Sequence, residues 1–597
     1  MFKNKRPARG SGGGADEGAG DGEAAAAAAA TAAAEKARMW EEEGAKTLEQ
    51  LEPLVSNNVT APKHVQEVLQ VLVLHAGAHP PTSATSARAA ALLDRLVVAH
   101  PPAVQQGDTL LVNNNLWDPV TCKWQHDLHA RLPRLEPLTR AVGLAALAGS
   151  ARNALAEAAG LAGRLPLAQD APRSGDLGEV LLFRHWVRLL KADLDVRLGA
   201  LRGSPDPSAW RGQLENSLLV RIMQTITTWN DGSRSKPALI RTLAETAVLG
   251  ALAEQQQGRY EGQPEPATAA AGGTSTSGRG AAAAAGGGAG GGGGGTWGSR
   301  WLLCPPGEVG SLAASVLGML YDAYGALDEL HSFVRRGSVG RDNDLVRTDM
   351  ALHNAVTKGL IYREAGNLAI LLQSLPPIAT VRLLVYTVAD LAYRRSDGGE
   401  GLGEGLRAVA EHYIDFGVGE PPKFRASDAL RFLLDEPEDG ADGAAASGRG
   451  HHHSGHAGST WTWAAGAVLP FLPDRAGLPL LVSTLAAAAL RAAAAEQRRL
   501  QRLVAGGGGG GDEGMEVEEG LSVADKLAEL KTEAAAVAAL YGKAAERLAR
   551  DCAGGGAGRG GGGGAGDPTA AVAVAQRCAN LLAGRWLGAA QAVGVRG

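Results

Sequence analysis

The sequence predicts an all-α chain of stacked helix pairs, and three observations carry that prediction. Outside a few Gly- and Ala-rich tracts, apolar residues recur at steps of three and four, the spacing that gathers them on one helical face. Pro, Gly, Asn and Asp punctuate these stretches, so helix, short turn, helix is the recurring unit. No segment alternates with period two over enough residues to make a sheet.

Helices with broad apolar faces and short connections bury those faces only against neighbours, which favours an armadillo/HEAT-like helical solenoid. No strict period of about 34 or about 40 residues is readable, so the array would be degenerate, with a compact helical bundle as the alternative.

Composition sets limits on this array. Of 597 residues 83 are Gly, about twice the usual share, while Phe, Trp and Tyr supply only 4%. The excess sits in tracts at 8–34, 261–296, 438–460, 505–520 and 553–567. Such tracts bury too little apolar area to offset chain entropy, so disordered Gly/Ala-rich insertions are expected there. With 58 Lys and Arg against 63 Asp and Glu, the net charge of -5 gives no overall field to hold nucleic acid or an anionic membrane. Cys122, Cys304, Cys552 and Cys578 lie far apart without a C-x-x-C pair, which indicates neither a disulfide framework nor a zinc knuckle and fits a reducing compartment. No apolar run approaches a membrane span, and no apolar segment follows the basic N-terminus, so an unsecreted protein without a membrane association is expected.

The elements follow in order. Residues 1–45 read as a disordered basic and Ala/Gly-rich tail, in which Lys3, Lys5, Arg6 and Arg9 form either a nuclear import signal or an ordinary basic end. A first helical block spans 46–260. In it Leu182, Trp186, Leu189 and Leu190 share one helical face, and Leu218, Ile222, Thr225, Ile226 and Trp229 share the next. Pro205-Asp206-Pro207 separates these two helices, and Asn230-Asp231-Gly232 ends the second before Ser235 and Pro237 open a third. After a linker at 261–300, a second block at 301–437 carries helices at about 309–335, 343–374 and 377–395, the last two split by Pro376-Pro377. A His/Gly linker at 438–460, a helical segment at 461–504 and an acidic Gly linker at 505–520 lead to 521–597. That last region reads as a heptad-like helix and a C-terminal helix joined by a Gly-rich linker.

The 282–298 tract ends Gly-Thr-Trp-Gly where a phosphate loop needs Gly-Lys-Ser or Gly-Lys-Thr, and Gly401, Gly403 and Gly405 lack the dinucleotide spacing. His451, His452, His453 and His456 lie between Gly-rich flanks with no second shell to orient them, so only adventitious metal binding is expected. Neither G-x-S-x-G nor H-E-x-x-H occurs. The expectation is a non-enzyme with no catalytic residue, metal, cofactor or small-molecule substrate.

Two features suit association. Arg335 with Arg336, Arg394 with Arg395, and Arg498, Arg499 with Arg502 fall at predicted helix ends, where they either meet phosphate or acidic partners or stabilise the helix dipole. Val523, Leu527, Leu530, Ala534, Val537, Tyr541, Ala544 and Leu548 alternate steps of four and three, the spacing of a coiled-coil seam. This thin stripe, flanked by Lys526, Glu529, Lys531 and Glu533, is the candidate partner-binding surface. It pairs either with another chain or with the protein's own final helices.

Several patches resemble a known family in their order. They are Ser56-Asn57-Asn58-Val59-Thr60-Ala61-Pro62 before Val68-Leu69-Gln70-Val71-Leu72, then Leu116-Trp117-Asp118-Pro119, then Leu181-Leu182-Phe183 with Leu189 and Asp193. Leu214-Glu215-Asn216-Ser217-Leu218-Leu219, the 233–243 stretch, Val346-Arg347-Thr348, Leu360-Ile361-Tyr362-Arg363, Leu371-Leu372-Gln373, and Lys423-Phe424-Arg425 before the Leu430 helix continue the series. Together they resemble the plant negative regulators of systemic acquired resistance, the suppressor-of-npr-inducible family, over about 54–436. The resemblance implies an armadillo-like nuclear protein that represses defence-gene transcription. It also implies a subunit of the structural-maintenance-of-chromosomes five and six complex, acting in the DNA damage response, repair and recombination, with no catalytic residues to carry over. The partners so implied are protein subunits of that complex, with DNA contacted indirectly or weakly. A DNA-contacting transcriptional repressor, motivated by the Arg clusters, is the alternative.

Overall fold

The computed structural model describes, with a few single-residue breaks, residues 19–56, 63–77, 84–112 with 117, 143–166, 177–203, 210–226, 235–261, 301–334, 344–396, 425–434, parts of 485–501, and 523–554. Of this described region 87% is helical and its sheet is a single hairpin, so the described part of the chain is all-α.

Helix α1 (Ala19–Ser56) starts well inside the stretch expected to be a tail to residue 45. Alanine is the best helix former, so the Ala-rich run extends the helix whose later turns are anchored in the core by Leu48 and Val55. Helices α2 (Lys63–Gly77) and α3 (Ala84–Ala99) pack against it. Ser86 Oγ donates to the Val73 carbonyl at 2.9 Å across that pair.

A short antiparallel hairpin follows, β1 (Ala103–Gln106) and β2 (Thr109–Val112), although no sheet was expected. Four-residue strands are too short to show period-two alternation in sequence. The turn is set by Gly107 at φ 61, in the left-handed region that glycine adopts without steric cost.

At the centre of the described region helices pack on helices. Helix α4 (Leu144–Ala158) is buried along most of its length between α5 (Leu177–Gly203) and α8 (Lys236–Glu261). Short helices α6 (Arg211–Glu215) and α7 (Leu218–Thr225) stand between those two in sequence. Helix α8 packs on α9 (Pro306–Val334), α10 (Asp344–Lys358) and α11 (Ala365–Ser374), so one core runs across the 261–300 boundary between the two expected blocks. The helix expected over 343–374 is broken: α10 ends before Gly359, and a 3-10 turn (Leu360–Arg363) leads into α11.

The α8–α9 crossing is unusually close. A Cβ placed on Gly250 would fall 2.6 Å from both the Gly310 Cα and the Pro306 carbonyl oxygen, so two glycines let the helix backbones touch. Helix α12 (Pro377–Ser396) then packs on α10 and on α13 (Ala426–Leu434), and α14 (Val523–Gly554) packs on α13.

Candidate functional site

Buried charge is concentrated where helices meet. Asp193 on α5 accepts from Arg197 Nε at 2.7 Å, with both side chains 1% exposed. The other Asp193 oxygen accepts the Leu218 N–H at 2.7 Å, and Arg197 also donates to the Gln213 carbonyl at 2.6 Å. One ion pair therefore ties α5 to both α6 and the first turn of α7, where Ser217 caps the Val220 N–H. Burial pushes the Asp193 carboxyl up, against the pull of the Arg197 charge and the Leu218 amide.

Two further ties repeat the device. Arg152 on α4 donates to Glu245 on α8 at 2.6 Å, to Asn153 Oδ1 at 3.1 Å and to the Pro166 carbonyl at 2.7 Å. Arg382 on α12 grips Asp349 on α10 with two donors, at 3.2 and 2.6 Å. Such pairs add little net stability, yet removing one partner strands a charge away from water.

A further cluster joins three helices. Asp94 on α3 accepts from Arg188 on α5, with Arg184 at 3.8 Å and His185 Nδ1 at 3.7 Å. Arg188 reaches on to Glu308 of α9 at 3.2 Å, and Arg184 donates to the Leu303 carbonyl at 2.8 Å. Burial favours the neutral form of Asp94, but the neighbouring His185 and the charges of Arg188 and Arg184 outweigh it and hold the carboxyl below its ordinary value. His185 is wholly buried, its ring 6.0 Å from that of Trp117, and burial holds its pKa below the ordinary value despite Asp94. Burial also pushes the nearby Cys304 thiol up to about 12, away from nucleophilic thiolate chemistry. The cations of this cluster face carboxylates, so the arrangement locks helices in register. Among the described residues no group of three or more His, Cys, Asp and Glu side chains is placed to hold a metal ion, and no helix is long and apolar enough to cross a membrane.

No protein-family model, curated protein or solved structure matches this chain.

The candidate partner stripe has a different fate from the one its exposure would require. Ala534 and Val537 are each 1% exposed and Tyr541 7%, all within the core of this same chain, while Leu527 and Leu530 are half-buried. Val523 and Leu548 lie on the same helix. The middle of the seam is thus already occupied and is not a free surface for another protein. The helix packed on it is α13, which contributes Ala429 and Leu430 to the same core, so the thin stripe does not stand as a solitary helix.

Polar contacts seal that docking. Glu533 accepts the Ser427 N–H at 2.9 Å with one oxygen and the Ser427 hydroxyl at 2.7 Å with the other. Glu529, one turn earlier, pairs with Arg425 at 2.5 Å. Sequence reasoning missed this set. The two glutamates read there as solvated flanks of a seam, and their spacing of four, which puts both on one helical face, was the available signal.

The basic clusters are placed less fully. Arg394 and Arg395 lie in the last turn of α12. Arg498 is exposed on a helical turn. Arg335, Arg336, Arg499, Arg502, the Lys3, Lys5, Arg6 and Arg9 group, and the histidines at 451–456 lie outside the described residues.

Proposed function

We propose that this protein is a non-catalytic scaffold subunit of a nuclear chromosome-maintenance assembly of the structural-maintenance-of-chromosomes five and six type, acting in DNA repair and recombination. In this reading the helices form an armadillo/HEAT-like solenoid, the Gly/Ala-rich tracts are insertions in it, and the partners are protein subunits. Negative regulation of defence-gene transcription follows from the same family resemblance. The observation that carries the proposal is the bond from the Leu218 N–H to Asp193. It joins two of the collinear patches on which the resemblance rests. A third patch meets them through Trp117, whose indole donates to the His100 carbonyl at 2.7 Å beside His185 of α5. Residues scattered along the sequence thus belong to one packed unit, as family-defining core positions do. A rigid unit held by internal ion pairs supports a platform role, because it presents helix faces in fixed positions to other subunits.

The test is affinity purification of the tagged protein from nuclear extract, with identification of the co-purifying chains. Recovery of chromosome-maintenance subunits at fixed stoichiometry is expected. A protein that co-purifies with none of them but binds DNA directly, with affinity falling about a thousandfold between 50 and 200 mM salt, would replace the scaffold reading with the repressor reading.

A further inference from the structure

We draw no further inference here: the strongest candidate, the exposed face of the β1–β2 hairpin where Val104 and Leu111 stand opposite each other across the two strands, carries nothing because nothing in the structure shows what covers it.

Discussion

Arg152 and Glu245, on two helices that flank the centre of the core, meet at 2.6 Å with their side chains only 4% and 10% exposed. A charge so buried depends on its partner. Arg152→Ala leaves the Glu245 carboxylate without its cation and is expected to cost about 3–5 kcal/mol in urea unfolding at neutral pH. Replacing both, Arg152→Met with Glu245→Leu, removes the stranded charge and should recover most of that loss. A cost below about 1 kcal/mol for the single variant would mean that water reaches the pair.

The close crossing of α8 and α9 makes Gly250 intolerant of a single methyl group. In an isolated helix Gly→Ala gains about 1 kcal/mol. Here the new Cβ would meet backbone atoms at 2.6 Å, and backbone cannot rotate aside as a side chain does. The helices must separate, so Gly250→Ala should destabilise by about 1–3 kcal/mol, as overpacking does. Gly199 on α5 is the control, because a Cβ there meets nothing within 4 Å. Gly199→Ala should raise the melting temperature where Gly250→Ala lowers it.

His185 should make stability fall on mild acidification. Its folded pKa lies below the ordinary 6.5, chiefly through burial, so below that pH the unfolded chain binds a proton that the folded chain does not. Stability is therefore full above about pH 6.5 and declines as pH drops toward the folded value, by at most about 1.4 kcal/mol per pH unit from this group. The groups facing it from the packed elements are Asp94, Arg184, Arg188 and, through Arg188, Glu308. Asp94 is held below its ordinary 3.8, so its own loss comes at lower pH and does not blur the window. His185→Gln should flatten the stability curve between pH 6.5 and 5. Parallel curves for the two proteins would remove His185 as the source.

Faces read from periodicity are the surest sites for truncation. Leu219 is fully buried and Trp186 nearly so, and each lies in a helix whose apolar spacing was plain in the sequence. Leu219→Ala and Trp186→Ala should each cost about 2–5 kcal/mol, read from the shift of the denaturation midpoint at constant slope. A loss below about 0.5 kcal/mol at both would make these faces exposed partner surfaces.

What could be read from sequence, and what could not, divides by distance along the chain. Leu182, Trp186, Leu189 and Leu190 lie within three turns, so a local period of 3.6 reveals their shared face, and all four are buried. Arg152 and Glu245 carry no such local mark: either alone looks like a solvated surface charge, and only the packing of α4 on α8 makes them a pair. The hairpin escaped because Ala103–Gln106 and Thr109–Val112 are shorter than any reliable alternation. Helix α1 was shortened in the reading because its Ala run was weighed as low complexity and not as helix propensity. The stripe on α14 was legible as a seam, but the helix it packs on, α13, lies about a hundred residues away, so the bonds of Glu529 and Glu533 to Arg425 and Ser427 were not visible.

A charge placed in that seam should now release one helix without dissolving the fold. Val537 is 1% exposed and Leu530 packs half-buried against the same core, so Leu530→Glu together with Val537→Lys puts charges into a contact that has no hydrogen-bonding room for them. The cost is several kcal/mol, and α14 is the element that can relieve it by leaving. Its described helix-to-helix packing is on α13, at the far end of the chain from the α4–α8–α9 centre. Limited proteolysis should therefore cut within 523–554 at least about tenfold faster, since cleavage tracks the population of the open form. The main unfolding transition should keep its helical amplitude and its midpoint to within a few degrees. If the whole chain instead loses its cooperative transition, α14 is an integral part of the core, and the local-release account of this contact fails.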